Sequence, residues 1–205
     1  MTTLLEEIAE FFADRLQRFG ATPAGVDYRD AQAQEVRFRE LCKVISEPSG
    51  SVLDFGCGYA GLLDFLRQQG FTGAYHGVDV SVEMISAAAA RHAGDTRASF
   101  EVGSTSSVKV DYVIASAIFN IRYKRSTAEW MAFVETTLEE INRVAIAGFS
   151  FNCLTSYSDP ERMRQDLYYG DPCYYFDLCK RRYSRQVALL HDYGLYDFTI
   201  IVRKS

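Results

Sequence analysis

VLDFGCGYAG, residues 52–61, is the stretch that decides the fold of this 205-residue chain. A mainly apolar run, 51–55, predicts a short buried strand, and Gly56, Gly58 and Gly61 follow at the point where a helix begins. Glycine has no Cβ, so the backbone N–H groups of this turn can approach a ligand closely. The stretch therefore predicts a strand, a ligand-binding turn and a helix in succession.

Strand and helix patterns continue to alternate after this stretch. Further strands are predicted at 74–80, 98–102, 111–116 and 145–154, and helices at 62–69, 81–92 and 127–143. Parallel strands joined by crossover helices form a sheet with helices on both faces. The last two apolar runs, 186–193 and 197–204, are separated by three residues, a connection that joins only antiparallel neighbours. The pattern predicts a doubly wound α/β fold whose mostly parallel sheet ends in a reversed strand.

The length allows one domain of ordinary size, 1–205. Two helical patterns, 4–19 and 31–45, precede the sheet and form a cap. The segment after the fifth strand is rich in Tyr, Asp, Pro and Arg and is too long for a simple crossover, so we expect it to cover a site. The predicted parts are a helical cap 1–48, a core 49–154, a covering segment 155–185 and a terminal hairpin 186–205.

Charge and composition exclude several classes of protein. The formal net charge of −5 argues against non-specific binding to a nucleic-acid backbone, which needs a basic surface. The longest apolar run, 113–119, is too short to span a bilayer, and charged residues throughout 6–18 argue against a signal peptide. Five cysteines without a CxxC pair indicate reduced thiols rather than disulfides or a zinc site. We expect a cytoplasmic protein that binds small molecules and neither membrane, nucleic acid nor metal.

Two acids narrow the ligand of the glycine turn. The glycine spacing on its own fits a dinucleotide such as NAD, with Asp79 placed to bind a ribose. Asp54, however, lies two residues before the first glycine, where its carboxylate would repel a pyrophosphate but attract an ammonium group. The closing antiparallel hairpin is also foreign to the six-stranded dinucleotide fold. Both observations turn the interpretation away from NAD.

With these features the chain resembles the class I S-adenosylmethionine-dependent methyltransferases, from about residue 49 through the terminal hairpin. The motif Val52–Gly58 is typical of their cofactor loop. The resemblance implies a seven-stranded sheet, with Asp54 near the methionine part of the cofactor, Asp79 on the ribose, and Val80 and Met84 near the adenine. The residues implied to bind the cofactor are Asp54, Gly56, Cys57, Gly58, Tyr59, Asp79, Val80, Met84, Ser104 and Ser116.

The expected activity is methyl transfer to an oxygen or nitrogen atom of a small, anionic or polar metabolite. Segments 151–159 and 191–196 resemble a narrower group of small bacterial methyltransferases, to which we assign no substrate. A non-catalytic S-adenosylmethionine-binding protein and, less favoured, an NAD-dependent oxidoreductase are the alternatives. The identity of the methyl acceptor and the oligomeric state stay open.

Substrate residues are expected beyond the carboxyl ends of the strands, where open α/β sheets bind ligands. Segment 161–185 carries six basic and four acidic residues, a local positive charge that suits an anionic substrate. The predicted substrate-binding residues are Arg122, Tyr123, Asn152, Tyr157, Arg181 and Arg182. His191 is the candidate general base because imidazole titrates near neutral pH. A structural role for His191 and a solvated surface for the basic cluster are the alternatives. Cap residues expected to contact cofactor or substrate are Asp27, Tyr28, Gln34 and Arg37.

Overall fold

The computed structural model describes residues 3–204 and arranges that part of the chain around one seven-stranded sheet. The strands are β1 (Val52–Phe55), β2 (Tyr75–Asp79), β3 (Ala98–Val102), β4 (Val110–Ala115), β5 (Ala145–Leu154), β6 (Gln186–Leu190) and β7 (Asp197–Arg203). They lie in the order β3-β2-β1-β4-β5-β7-β6. Strands β1 to β5 are parallel, and β7 runs antiparallel between β5 and β6. The predicted doubly wound fold with a reversed last strand is confirmed.

Five of the six α-helices between residues 3 and 204 begin after a capping side chain, and the sixth begins at the glycine turn without one. The hydroxyl groups of Ser81 and Ser126 accept hydrogen bonds from the first turns of the helices that follow them. The helices are α1 (Leu4–Phe19), α2 (Ala31–Leu41), α3 (Gly61–Gln68), α4 (Val82–Arg91), α5 (Thr127–Val144) and α6 (Pro172–Arg182), with 3-10 turns at Pro23–Val26, Cys42–Val44 and Pro160–Arg162. Between residues 3 and 204, no helix is both long enough and apolar enough to cross a lipid bilayer.

The sheet separates two apolar cores because successive side chains of a strand point to opposite faces. In β4, Val113 packs with α5 and α6 on one face, while Ile114 packs with α2 and α3 on the other. Trp130 of α5 is fully buried in the first core, and its indole N–H donates to the Phe119 carbonyl at 2.9 Å. Burial on both faces holds the central strands rigidly, so the loops at their carboxyl ends have fixed positions.

Two predicted segments differ from the structure. Strand β6 ends at Leu190, and six residues rather than three connect it to β7, because the chain folds back over the strand end, where the Tyr193 hydroxyl lies 3.0 Å from Thr199 Oγ1. The covering segment 155–185 contains α6, whose Tyr175 and Cys179 are fully buried in the core with α5. Much of this segment is therefore a crossover helix packed on the sheet, and only residues before α6 lie at the carboxyl edge.

The connection from β3 to β4 is unusually short for a parallel crossover, which normally takes a dozen or more residues. Residues 103–109 run from one sheet edge past β2 and β1 without forming a helix. The straight path is about 24 Å, and the eight residue steps from Val102 to Val110 reach at most about 29 Å. An Arg143 guanidinium N–H on α5 donates to the Ser106 carbonyl at 2.8 Å, which places this short segment on the α5 face.

Candidate active site

A cavity of about 1020 Å³, counting the part open to solvent, lies at the carboxyl ends of β1, β2 and β4. All ten residues implied to bind the cofactor line it: Asp54, Gly56, Cys57, Gly58, Tyr59, Asp79, Val80, Met84, Ser104 and Ser116. They come from four separate loops, which the parallel arrangement of the strands brings to one edge of the sheet. The structure thus places the whole predicted set around a single space.

The glycine turn has the tight backbone that its sequence predicts. Gly56 and Gly58 have φ values of +79° and +53°, a left-handed region that favours glycine. A Cβ on Gly56 would lie 2.4 Å from Ile118 Cγ2, and one on Gly58 would lie 2.8 Å from Val26 Cγ1. Any larger side chain at either position would push these neighbours outward or fill the cavity.

Cys57 occupies the space between the two glycines and points toward β2. A Cβ on Gly77 would lie only 2.8 Å from Cys57 Sγ, so the thiol packs directly over that strand. Burial raises the pKa of the Cys57 thiol well above its ordinary value. A thiol that stays protonated is a poor nucleophile, and Cys57 is therefore a small packing residue of the turn.

Asp79 ties the end of β2 to the glycine turn. One carboxylate oxygen accepts the Gly58 N–H at 2.9 Å and the other accepts the Ser81 N–H at 2.9 Å. Burial raises the pKa of Asp79 although these backbone donors act in the opposite direction. Each oxygen keeps a second lone pair, so the carboxylate can also accept hydrogen bonds from a pair of hydroxyl groups in the cavity.

Asp54 is almost completely buried at the end of β1, and it accepts a hydrogen bond from the Tyr75 hydroxyl at 2.5 Å. Burial raises the pKa of Asp54 to about 7; the Tyr75 bond lowers it and the Asp79 charge raises it further. Across residues 3–204, no Lys, Arg or His forms an ion pair with Asp54. A buried acid without a cation fits a ligand that brings its own positive charge, as the ammonium group of S-adenosylmethionine does.

One part of the cavity wall comes from the segments that follow β2 and β3. Val80 and the fully buried Met84 line it after β2, and Gly103 and Ser104 line it after β3. The Gly103 N–H donates to the Asp79 carbonyl at 2.9 Å, which fixes the start of the short crossover beside β2. The resemblance places the adenine near Val80 and Met84, and both residues line this part of the wall.

The helical cap forms the roof of the cavity. The apolar stripe of α1 faces into the cavity, and Tyr28 and Gln34 provide its polar groups; the cap residues that line it are Leu5, Ile8, Phe12, Val26, Tyr28, Gln34 and Phe38. The Tyr28 hydroxyl lies 2.7 Å from Ser116 Oγ, and the Tyr59 hydroxyl donates to Gln34 at 3.2 Å. Of the cap residues singled out from the sequence, Tyr28 and Gln34 line the cavity, whereas Asp27 pairs with Arg15 and Arg37 pairs with Asp197.

Several lining residues were missed by the sequence analysis, namely Leu5, Ile8 and Phe12 of α1 and Phe133 and Thr137 of α5. The stripe on α1 was visible as helical periodicity, and it buries no residue completely in the structure. An amphipathic helix whose apolar face packs over an open cavity is the signal that could have identified the first three residues.

The predicted substrate residues do not line the cavity. Arg122 donates to the Gln165 carbonyl at 3.0 Å, and the ring of Tyr123 packs against Trp130. Asn152 is fully buried and accepts the Ala117 N–H at 2.7 Å, so it supports the loop after β4 from behind. Tyr157 is 69% exposed and its ring lies 5.9 Å from that of His191. His191 is itself exposed on the hairpin connection after β6, the outermost strand, and does not line the cavity.

Arg181 and Arg182 lie at the opposite edge of the sheet, which corrects the expectation that they converge with Arg122 and His191. Helix α6 leaves the carboxyl end of β5 and returns the chain to the amino end of β6, so its last turn faces away from the cavity. Arg181 pairs with Asp177 at 2.8 Å, and Arg182 pairs with Glu135 at 3.0 Å. In a parallel sheet, only the residues directly after a strand lie at the carboxyl edge, where ligands bind, because the crossover then returns the chain to the amino edge.

Comparisons with known proteins define the class. Residues 6–143 match a family model described as a methyltransferase domain. A protein of Mycobacterium tuberculosis named "Putative methyltransferase Rv1506c" is 57% identical over 155 residues, which are 76% of this chain and 93% of that protein. The chain therefore belongs to the methyltransferase domain family, and the predicted resemblance to class I S-adenosylmethionine-dependent methyltransferases is confirmed.

Solved structures share the whole fold. The DhpI–SAH complex superposes with a TM-score of 0.70 at 19% identity and covers 100% of this chain and 99% of that one. Magnesium protoporphyrin IX methyltransferase (ChlM) from Synechocystis PCC 6803 with bound SAH has a TM-score of 0.64 at 16% identity, over 98% and 99% of the two chains. At these identities the likeness shows the fold. The family match identifies the chain as a methyltransferase, and its fold is the one found in these SAH-bound structures.

Proposed function

We propose that this chain transfers the sulfonium methyl group of S-adenosylmethionine to an oxygen or nitrogen atom of a small polar metabolite. The observation that carries the proposal is the placement of two acids, the buried Asp54 and the half-buried Asp79, on either side of one glycine turn within a single cavity. Their spacing along β1 and β2 suits the two polar parts of this cofactor, an ammonium group and a pair of ribose hydroxyls.

Each group of the chain then has a defined task. When bound, S-adenosylmethionine supplies an electrophilic methyl group. Asp54 holds the ammonium group, Asp79 accepts the ribose hydroxyls, and the glycine turn admits the cofactor close to the backbone. The α1 roof excludes water, and the loop after β4 holds the acceptor in line. Catalysis of this kind depends mainly on positioning, which converts a bimolecular reaction into an effectively unimolecular one.

The polar groups left over in the cavity suggest the character of the acceptor. Tyr28 and Gln34 line it as neutral hydrogen-bonding residues, and burial raises the pKa of Tyr28 to about 12. Among the described residues of the cavity wall, none is Lys, Arg or His. A site with two carboxylates and no cation favours a polar acceptor over an anionic one. The anionic acceptor expected from Arg122, Arg181 and Arg182 loses its support, since these residues lie outside the wall.

A cytoplasmic location, with a small molecule rather than a nucleic acid as partner, belongs to the same proposal. The cysteines within residues 3–204 are all unpaired thiols, which is the usage of a reducing compartment. The formal net charge of −5 supports a small-molecule partner, because nucleic-acid binding needs a basic surface.

Titration calorimetry with S-adenosylmethionine and SAH, followed by incubation of a metabolite pool with methyl-labelled cofactor, tests the proposal. We expect both cofactor forms to bind and label to appear in a small polar product. Asp79→Ala should bind both forms roughly tenfold more weakly or worse, and should label the product correspondingly less. Asp177→Asn, an exposed acid on α6, is the matched control and should behave as wild type. Binding without transfer to any metabolite would favour a non-catalytic cofactor-binding protein, and binding of NADH instead would overturn the cofactor assignment.

A further inference from the structure

A closed ring of contacts surrounds the loop after β4 at the wall of the cavity. This contact ring joins the helical cap, the loop after β4, β5 and β7. Its six residues are Tyr28, Arg37, Ser116, Ala117, Asn152 and Asp197. Two of the six, Tyr28 and Ser116, present hydroxyl groups in the cavity wall. The others lie behind the wall, except that Ala117 also lines it.

The first half of the ring runs through the sheet. An Arg37 Nη2–H on α2 donates to Asp197 Oδ2 at 2.5 Å, and the other oxygen of Asp197 accepts an Asn152 side-chain N–H at 3.3 Å. Asn152 Oδ1 in turn accepts the Ala117 backbone N–H at 2.7 Å. Ala117 has a φ of +60°, a conformation that costs a residue with a Cβ. The bond from Asn152 holds the loop in that conformation.

The second half runs through the cap. The Arg37 guanidinium lies over the phenol group of Tyr28, 5.2 Å from the centre of its six carbon atoms, in cation–π geometry. The Tyr28 hydroxyl lies 2.7 Å from Ser116 Oγ, and Ser116 is the neighbour of Ala117 in the chain. Arg37 therefore contacts both halves of the ring, and through them it fixes both partners of the Tyr28–Ser116 hydroxyl pair.

The burial of the Arg37–Asp197 ion pair indicates that the pair serves to position its neighbours more than to stabilise the fold. The side chains of Arg37 and Asp197 are 13% and 0% exposed, and Arg37 Nε is buried without a hydrogen-bond partner anywhere in residues 3–204. Buried ion pairs are inefficient stabilisers, because the loss of hydration offsets much of the attraction between the charges. A pair that also leaves one donor unpaired is a weaker stabiliser still.

We propose that Arg37 is a positioning residue for the methyl-transfer reaction. It holds the loop after β4 and the phenol of Tyr28 so that the Tyr28 and Ser116 hydroxyls face the acceptor at a set separation, and it does not itself contact cofactor or acceptor. The role in transfer rests on the proposed function. The ring itself can be tested without knowledge of the acceptor.

The experiment compares Arg37→Met with wild type by hydrogen exchange at the Ala117 amide and by SAH titration. Arg37 does not contact Ala117, yet loss of its charge should speed exchange of that amide about tenfold or more, since the Asp197–Asn152 link loosens. SAH affinity should fall several-fold because Tyr28, Ser116 and Ala117 line the cavity. Arg37→Lys, which keeps the charge, should restore most of the slow exchange at Ala117 and most of the SAH affinity. Arg39→Met, on the exposed side of α2, is the matched control and should match wild type.

Unchanged Ala117 exchange in a folded Arg37→Met would overturn the ring, as would equal effects from Arg37→Lys and Arg37→Met. If Arg37→Met does not fold, Arg37→Gln replaces it with the same expectations. With any acceptor that the labelled pool reveals, kcat should fall more than cofactor affinity. Failure to find an acceptor bears on the proposed function alone, whereas normal exchange at Ala117 bears on the ring alone.

Discussion

The Asp54→Asn substitution removes a titratable charge from the cavity and leaves its shape unchanged. Burial raises the pKa of Asp54 to about 7 from an ordinary value of 3.8. The groups that face it are the Tyr75 hydroxyl, the Asp79 carboxylate and the thiols of Cys42 and Cys57. A shift of about three pH units corresponds to on the order of 4 kcal/mol of differential interaction between the two protonation states. The ionised form of Asp54 is therefore costly in the ligand-free protein.

The stability of the ligand-free protein should show this cost. The folded-state pKa of Asp54 lies above its unfolded value, so the unfolded chain ionises first as the pH rises. The free energy of unfolding should fall between about pH 4 and about pH 7 for this reason. Asp54→Asn should lack that fall, with a Tm above wild type near pH 7.5 and equal to it near pH 4. Asp177→Asn, which removes an exposed acid, should follow wild type throughout.

Ligand binding should offset the free-energy cost of ionising Asp54. An ammonium group beside Asp54 favours the carboxylate, so SAH binding should release a proton below about pH 7. The ionised fraction of a group with a pKa of about 7 rises about eightfold from pH 6 to pH 7.5, and SAH affinity should rise with it. Calorimetry in buffers of different ionisation enthalpy counts the protons. Proton uptake, or a wild-type affinity that does not change with pH, would refute the reasoning; Asp54→Asn should bind weakly at every pH.

Three further outcomes are expected. Asp79→Ala should weaken cofactor binding roughly tenfold or more by calorimetry, because charge-assisted bonds to two hydroxyls are lost. Its ligand-free Tm should fall, because the Gly58 and Ser81 N–H groups lose their acceptor, but circular dichroism should still report a folded chain. Gly58→Val should abolish binding, since its φ of +53° and the 2.8 Å approach of Val26 leave no room for a side chain; circular dichroism should still report a folded chain. Arg181→Ala should leave SAH affinity and transfer rate at wild-type values, because its partner Asp177 lies on the outer turn of α6; a raised KM for the acceptor would contradict the placement.

The cofactor half of the site was predictable because its signals are local. A buried strand that ends in Asp54, a glycine pair and a second strand that ends in Asp79 are contiguous patterns. The parallel arrangement of β1 and β2 then brings the two acids to the same edge by register alone. Val52 pairs with Tyr75 and Phe55 with Val78, so no long-range packing detail was needed.

The acceptor half was not predictable in the same way, because it depends on where elements distant in sequence come to lie. Arg181 follows the fifth strand in the chain, but α6 carries it to the amino edge before it can approach the cavity. The roof depends on which stripe of α1 turns inward, and periodicity shows a stripe without showing what it covers. The ring around Ala117 joins residues 160 positions apart, Arg37 and Asp197, which no local pattern relates.

The short connection between β3 and β4 has a consequence for how this sequence can change. Residues 103–109 span about 24 Å with only a few ångströms in reserve, so loss of two residues would pull Ser104 out of the cavity or shift β4 in the sheet. Added residues carry little cost, because doubling a loop's length costs only about 0.6 kcal/mol of closure entropy. The connection between β3 and β4 therefore has a minimum number of residues but no maximum. Homologues should gain residues here, up to a whole helix, far more often than they lose them.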